Sequence, residues 1–182
     1  GILLLRPLID AGLMPSDYPV VMQGFSGYSG GGRQLIEAYE VAKTAPPLEV
    51  YGLNLTHKHV PEFQKYTGLT RRPIFFLAVA NFHTGMIDHI AVHFDLLKGV
   101  PNAKQLEDVL KARYTGCEWV RVVDADEKGR IEPTSLNNTN RINLSVYGND
   151  ALGQAVLTAK YDNLGKGASG AAVQNLKLML GI

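Results

Sequence analysis

Two histidines and a glutamate stand close together in the run Thr56-His57-Lys58-His59-Val60-Pro61-Glu62. The residues before it, Leu48–Leu55, alternate as a strand does, and Pro61 suits the first position of a helix with Glu62 in its first turn. If the chain stays extended, His57 and His59 point to the same face. Imidazoles beside a carboxylate can transfer protons near neutral pH. The run therefore predicts an acid/base site, the alternative being a pair of surface histidines before a short helix.

A glycine-rich segment with a possible role in anion binding runs from Ser26 to Arg33, between a predicted strand and a predicted helix. Its glycines permit close backbone approach, the helix start offers free N–H groups, and Ser29 and Arg33 add donors. The spacing is neither that of a dinucleotide fingerprint nor that of a P-loop. A phosphate site and a flexible turn both remain open.

A second glycine-rich segment, Asp162–Ala172, lies between the last predicted strand and a terminal helix. So many small residues at a helix start predict close packing, either against a flat ligand or against another backbone. Packing of helix on helix is the alternative to a binding site.

Composition excludes several classes of function. The net charge is +1 with mixed signs, which gives no nucleic-acid or membrane surface, and no apolar run is long enough for a membrane span. No Cys/His set has zinc spacing, so we expect no metal site. The single cysteine, Cys117, fits a reducing, cytoplasmic compartment. It has no nearby histidine or helix start to lower its pKa, so we do not expect it to be a nucleophile.

Strands outnumber helices in the pattern of the chain, and several strands follow one another directly. This favours an α+β fold in which a mainly antiparallel or mixed sheet is covered by helices. The opening residues lack an initiator methionine and look like the middle of an apolar helix, so we expect a longer protein. The predicted helices lie at the start of the chain and at Gly32–Lys43, Asn102–Tyr114 and Ser169–Leu180. The predicted strands are Pro19–Phe25, Leu48–Leu55, Ile74–Val79, Met86–Leu96, Trp119–Val123, Arg141–Tyr147 and Ala155–Tyr161.

Four motifs carry a resemblance to a known family. They are Ser26–Gly32, Thr56–Glu62, Asn138–Arg141 and Asp162–Asn175, and the opening Leu5–Leu13 belongs with them. In this order they resemble N-acetyl-gamma-glutamyl-phosphate reductase, in the second, shorter subfamily of that arginine-biosynthesis enzyme. The resemblance covers essentially the whole chain.

The resemblance implies an oxidoreductase with two domains, of the glyceraldehyde-phosphate dehydrogenase-like class. In that family an N-terminal Rossmann domain binds NADP, and a cysteine in a Gly-Cys-Tyr motif is acylated by N-acetyl-glutamyl phosphate. NADPH then reduces the thioester to N-acetylglutamate semialdehyde. Both the Rossmann domain and this cysteine are absent here, because the family's sequence after Gly-Cys-Tyr is the helix with which the chain opens.

What is present resembles the catalytic and dimerisation domain, residues 1–162. Residues 163–182 resemble the C-terminal helix that returns to the cofactor domain. The resemblance implies a homodimer or homotetramer acting on a small-molecule acyl phosphate. We expect the 182 residues alone to be inactive.

The resemblance also implies roles for single residues. His57 matches the family's acid/base histidine, and His59 and Glu62 orient it or bind substrate. Ser29, Gly30 and Arg33 are expected near the acyl phosphate, and Asn140 and Arg141 line the site or are structural. Asn163, Gly165, Lys166 and Gly167 are expected beside the nicotinamide end of NADP.

Three alternatives stay open at this point. One is a related acyl-phosphate reductase of lysine biosynthesis with a carrier-linked substrate, and another is aspartate-semialdehyde dehydrogenase, against which Thr56–Glu62 argues. The third is a non-catalytic oligomerisation module.

Overall fold

The computed structural model describes all residues, 1–182, as one mixed sheet of seven strands with five helices. The strand order is β2-β3-β1-β4-β7-β6-β5, in which β1 pairs with β3 and β5 with β6 in parallel and the other neighbours are antiparallel. This confirms the predicted α+β class. The strands are β1 (Val21–Gly27), β2 (Leu48–Tyr51), β3 (Ile74–Ala80), β4 (Met86–His93), β5 (Val120–Val122), β6 (Ile142–Asn149) and β7 (Gln154–Tyr161). The helices are α1 (Ile2–Asp10), α2 (Gly32–Glu40), α3 (Val60–Thr67), α4 (Ala103–Tyr114) and α5 (Gly170–Leu180).

The strand that leads towards the histidines is shorter than predicted. Leu48–Leu55 was expected to stay extended, but β2 ends at Tyr51, and Gly52 and Leu55 then take positive φ angles of 78° and 60°. The N–H of Leu55 closes this turn on the carbonyl of Gly52. The expectation that an extended backbone brings His57 and His59 to one face is therefore wrong, and a turn brings them together instead.

Two other elements also end earlier than predicted. Strand β4 ends at His93, and Phe94–Leu96 forms a single 3₁₀ turn. Leu96 is consequently 47% exposed and does not share the buried face of Ile90 and Val92. Helix α2 ends at Glu40, because the chain turns away at Lys43, which has a φ of 55°.

Helices α1, α3 and α4 cover one face of the sheet. The fully buried leucines of α1 and α4 pack there on strand residues such as Ile90 and Leu157. Every strand residue of this core cluster points to the same, helix-facing side. The opposite side, which we call the open face, carries Val21, Ile74, Val50 and the other residues that alternate with the core. The apolar side of β4 is thus internal to the domain.

Helix α1 is held against α4 by a hydrogen bond to a backbone carbonyl that has no N–H partner within α1. Pro7 lies inside α1 and has no N–H for the carbonyl of Leu3, one turn earlier. The hydroxyl of Tyr114, at the end of α4, donates to that carbonyl at 2.8 Å, and burial raises the pKa of Tyr114 to about 12. Asn102 and Gln105 close a capping box at the start of α4, as expected for a cap at Asn102. The Tyr114 hydrogen bond thus links the end of α4 to the first turn of α1.

Glu132 organises the long connection between β5 and β6. Its carboxylate accepts the N–H and hydroxyl of Thr134, at 2.7 and 2.8 Å, and the N–H of Ser135 at 3.0 Å. Burial alone would raise the pKa of Glu132, but hydrogen bonds from Ser135 and Thr134 outweigh it and lower the pKa to about 2. The ionised form of this carboxylate therefore stabilises the loop.

Candidate active site

A cavity of about 820 Å³ lies on the helix-covered face of the sheet, beside the start of α1. It is bounded by the connection between β2 and α3 and by the turn that precedes α5. Residues from seven separate parts of the chain meet in its wall: 1–3, 22–35, 49–63, 75–79, 86–88, 142 and 161–167. Of the site residues predicted from sequence, the wall contains Gly30, His57, His59, Glu62, Asn163, Lys166 and Gly167.

His57 lies at the cavity wall with its ring 4.9 Å from that of Phe75 and 5.2 Å from that of His59, between centroids. Burial lowers the pKa of His57, and the charges of His59 and Lys58 lower it further. The imidazole is therefore neutral at pH 7. Its Nδ1 accepts the backbone N–H of His59 at 3.3 Å, which favours the tautomer with the proton on Nε2. A neutral imidazole whose Nε2 has no hydrogen-bond partner in the protein suits proton exchange with a ligand.

His59 and Glu62 form a pair at the mouth of the cavity. Nδ1 of His59 lies 3.2 Å from Oε2 of Glu62, and both side chains are more than half exposed. The pair follows from the local helix start, since His59 is the N-cap residue of α3 and Glu62 lies in the first turn. Exposed pairs of this kind contribute little to stability. Their position at the mouth suits orientation of His57 or contact with substrate.

The Ser26–Gly32 segment is pinned to the loop between β3 and β4. The N–H groups of Tyr28 and Ser29 donate to the carbonyls of Phe82 and His83, at 2.9 and 3.0 Å. Gly27 permits this approach, because a Cβ there would come within 2.5 Å of the His83 carbonyl oxygen. These hydrogen bonds attach the segment to the loop, and the phosphate site and the flexible turn both stay predictions. Gly30 alone of the predicted phosphate-binding residues faces the cavity.

Asn163 ties the two glycine-rich segments together. Its Oδ1 accepts the N–H of Gly85 at 2.8 Å, and its Nδ2 donates to Oγ of Ser29 at 3.0 Å. Both Asn163 and Ser29 are buried. The two polar atoms of the Asn163 amide are thus engaged within the protein. Through these two hydrogen bonds Asn163 links the turn before α5 to Ser29 and Gly85 on the other side of the cavity wall.

The turn before α5 is packed closely against the Asn138–Arg141 loop. The buried carboxylate of Asp162 accepts the N–H groups of Asn138, Leu164 and Gly165, at 2.6 to 2.8 Å. A Cβ on Gly165 would lie 2.4 Å from the Thr139 carbonyl oxygen. Gly165 thus serves close packing against another backbone, one of the two expectations for this segment.

Lys166 brings a positive charge to the cavity. Its Nζ donates to Oε1 of Gln174 at 2.5 Å, and Nδ2 of Asn140 donates to the same oxygen at 3.4 Å. Burial lowers the pKa of Lys166. The ammonium group and the neighbouring Gly167 make this wall suitable for an anionic or flat ligand.

Five predicted site residues do not line the cavity: Ser29, Arg33, Asn140, Arg141 and Gly165. Ser29 and Asn140 stand one layer behind it, bonded to Asn163 and to Gln174. Arg33 is 92% exposed on α2, where its Nε donates to Glu37 at 2.7 Å, and Arg141 is exposed. Their roles in ligand binding stay predictions.

Several cavity residues were not found from the sequence, above all Asp88 on β4, Tyr161 on β7 and Tyr51 on β2. They lie on the helix-facing side of strands, where apolar residues are expected. A signal for Asp88 was present, because this acid shares the apolar side of β4 with Ile90 and Val92. No three His, Cys, Asp or Glu side chains are grouped to hold a metal ion. No helix is both long and apolar enough to cross a membrane.

Comparison with known proteins decides the family. The model of the semialdehyde dehydrogenase dimerisation domain matches residues 1–163. The chain belongs to the semialdehyde dehydrogenase dimerisation-domain family. In keeping with this family, the fold resembles aspartate semialdehyde dehydrogenase II from Vibrio cholerae, with a TM-score of 0.70 and 17% identity over 98% of this chain and 58% of that one.

Among sequences, this family member is 46% identical to N-acetyl-gamma-glutamyl-phosphate reductase 2 of Pseudomonas putida, over 100% of the chain and 59% of the relative. It is 48% identical to N-acetyl-gamma-glutamyl-phosphate reductase of Chelativorans sp., over 98% of the chain and 60% of the relative. These similarities confirm the resemblance drawn from the four motifs. The chain spans about three fifths of the length of these relatives.

Proposed function

We propose that the chain is the dimerisation-domain part of an NADPH-dependent reductase. The reductase converts N-acetyl-glutamyl 5-phosphate into N-acetylglutamate 5-semialdehyde and phosphate, a step of arginine biosynthesis. The observation that carries the proposal is the 46–48% identity, over essentially the whole chain, to proteins named for this activity. The likeness to aspartate semialdehyde dehydrogenase, at 17% identity, supports the fold alone.

The cavity supplies a residue for each proton transfer that this reaction requires. A thiol in the part of the enzyme before Gly1 attacks the acyl carbon, and phosphate leaves with the electron pair of the C–O bond. His57 takes the thiol proton and returns it to the oxygen of the thiohemiacetal that follows reduction. Nδ1 of His57 is turned to the backbone N–H of His59, so Nε2 is the atom that faces the ligand; it takes the thiol proton in the tautomer with the hydrogen on Nδ1, for which the 3.3 Å contact to the His59 N–H opens. Collapse of the thiohemiacetal then releases the aldehyde and the thiolate, and the hydroxyl proton returns to His57.

NADP fits the wall formed by the turn before α5. Lys166 is a cation at the cavity surface, and Gly167 next to it has no side chain to block a flat ring. These two residues would hold the nicotinamide end, with Gly165 and Asn163 shaping the turn beneath them. When bound there, NADPH supplies the hydride. Lys166 also offsets negative charge on the cofactor or on the departing phosphate.

Assembly and location complete the proposal. Leu48 and Val50 on β2, Val21 on β1 and Ile74 on β3 are between 38% and 47% exposed, and all four side chains lie on the open face. An apolar patch of this kind suits contact with a second copy of the chain, as the name of the family suggests. Residues 163–182, whose α5 exposes Val173, Leu176 and Met179, suit contact with a cofactor domain. A cytoplasmic location, expected from the single cysteine, stays a prediction.

The proposal is tested by trapping the acylated enzyme. The intact protein, with the residues that precede Gly1, is incubated with N-acetyl-glutamyl phosphate in the absence of NADPH and digested for mass spectrometry. We expect the N-acetylglutamyl mass on one cysteine before Gly1, lost again when NADPH is added. Acylation of Cys117, which is exposed, or of no cysteine contradicts the proposal. Residues 1–182 alone should show neither acylation nor NADPH oxidation.

A further inference from the structure

The turn that leads from β2 to His57 is held by an arginine that the proposed reaction does not use. Nη2 of Arg72 donates to the backbone carbonyl of Leu55 at 2.7 Å. Arg72 lies just before β3, seventeen residues along the chain from Leu55. A hydrogen bond from a charged donor is stronger than one between neutral groups. Arg72 therefore ties the turn to the start of a neighbouring strand.

Leu55 takes a backbone conformation that leucine disfavours. Its φ angle is 60°, in the left-handed region, where the Cβ of an L-residue comes too close to the following carbonyl oxygen. Such a conformation persists only where the surrounding structure holds it. Within the turn, the N–H of Leu55 donates to the carbonyl of Gly52 at 2.9 Å, and the N–H of Thr56 donates to Oδ1 of Asn54 at 3.3 Å. Arg72 adds a hydrogen bond from outside the turn.

Burial does little to hold this turn in place. Leu53 is 65% exposed and Leu55 is 43% exposed, and Asn54 and Thr56 are exposed as well. A segment with few buried contacts opens at low cost, so a single hydrogen bond matters more there than in the core. Loss of the Arg72 bond should therefore change the population of the native turn more than the stability of the whole domain.

The conformation of the turn determines where the imidazole of His57 lies. A Cβ on Gly52 would stand 4.0 Å from Cδ2 of His57 and 3.8 Å from the carbonyl oxygen of Phe75, so the start of the turn lies beside the ring. The rings of His57 and Phe75 are in contact, with their centroids 4.9 Å apart. Arg72 and Phe75 belong to one short stretch of chain, which thus contacts both the turn and the histidine.

We propose that Arg72 is a positioning residue for His57: by holding Leu55 in its left-handed conformation, it keeps the imidazole in the place at the cavity wall that proton transfer requires. The inference rests on the proposed function, in which His57 exchanges protons with the thiol and with the thiohemiacetal. Displacement of a group that acts mainly in the transition state changes kcat more than KM. Arg72 is not part of the cavity wall, so it acts through the turn.

The first test removes the hydrogen bond in the intact enzyme. Arg72→Met keeps a long side chain without donors, and Arg71→Met, at the exposed neighbouring arginine, is the matched control. We expect Arg72→Met to lower kcat by about three- to tenfold, the effect of one lost hydrogen bond, with KM within about twofold of wild type. Arg71→Met should change neither. An unchanged kcat in Arg72→Met, or an equal loss in Arg71→Met, overturns the inference.

The backbone at Leu55 provides a second arm, which also decides the case if Arg72→Met fails to fold. Leu55→Val puts a β-branched residue at a positive φ angle, which is less favourable still, and should lower kcat as Arg72→Met does. Asparagine tolerates this conformation, so Leu55→Asn combined with Arg72→Met should recover about half of the lost kcat or more. A general loss of packing would not be recovered in this way. A wild-type kcat in Leu55→Val, or no recovery in the double variant, overturns the inference.

A third measurement does not depend on activity. The NMR signals of the His57 ring, assigned by comparison with His57→Asn, are followed against pH in the intact protein. Burial is the main cause of the lowered pKa of His57, so release of the ring in Arg72→Met should raise this pKa towards its ordinary value. An unchanged pKa overturns the inference. Absence of any acylated cysteine in the wild-type enzyme instead overturns the proposed function, so the two failures are distinguishable.

Discussion

The two buried hydrogen bonds of the Asn163 side chain allow the effect of their loss on stability to be predicted. Asn163→Ala removes the acceptor for the Gly85 N–H and the donor to the Ser29 hydroxyl, both in the buried interior. An unsatisfied buried N–H costs about 1–3 kcal/mol, and the second lost bond about 1 kcal/mol, so we expect a loss of about 2–4 kcal/mol. For a chain of this size the Tm should fall by about 5–12 °C.

The assay is thermal unfolding of residues 1–182, followed by circular dichroism. Asn163→Asp at acid pH is the informative comparison, because its neutral carboxyl group still accepts the Gly85 N–H and donates to the Ser29 hydroxyl without burial of a charge. It should lose less than half as much stability. Asn175→Ala, an exposed asparagine on α5, should change the free energy of unfolding by no more than about 0.5 kcal/mol. A Tm of Asn163→Ala within about 2 °C of wild type would show that the two Asn163 hydrogen bonds do not stabilise the fold as argued.

Three further predictions concern the site, the loop and the open face. In the intact enzyme, His57→Asn should lower turnover by about 10²–10⁴-fold in a steady-state assay, and turnover within about twofold of wild type would exclude an acid/base role. The pKa of Glu132 is lowered to about 2, so its ionised form adds stability that is present at pH 7 and lost as the pH falls from about 4.5 towards 2. The Tm deficit of Glu132→Gln should shrink over that range, and a constant deficit would contradict the argument. Ile74→Asp should shift the intact enzyme towards monomer in sedimentation, whereas Leu152→Asp, in an exposed turn, should not.

β-branched and aromatic content, or alternation of apolar and polar residues, was sufficient to place all seven strands. It could not place the end of β2, since the turn at Gly52 and Leu55 depends on backbone angles. For the same reason it misjudged Leu96, which continues the alternation of β4 in sequence but lies in a 3₁₀ turn. The pattern of apolar and polar residues predicts which side of a strand is buried, but it does not contain the backbone angles at which the strand ends in a turn.

The site was predicted in part, and the missing part has a physical explanation. His57 was found because two histidines and a glutamate stand together where a strand was predicted to end, and Lys166 through the family resemblance; the fold brings both to one cavity. Asp88 and Tyr161 were missed because they lie inside strands, where an isolated polar residue is not read as a site. That they face each other, with Gly24 leaving the space, depends on the register of three strands.

The substrate preference of the intact enzyme is the direct test of the proposed N-acetyl-glutamyl-phosphate reductase activity. Semialdehyde oxidation is measured as phosphate-dependent reduction of NADP, with N-acetylglutamate semialdehyde, aspartate semialdehyde and the carrier-linked semialdehyde of the lysine pathway as competing substrates. We expect kcat/KM for N-acetylglutamate semialdehyde to exceed that for each of the others by at least about 100-fold, because the site is built around one polar substrate. An equal or higher kcat/KM for either competitor, or no NADP-dependent activity with any of the three, would contradict it.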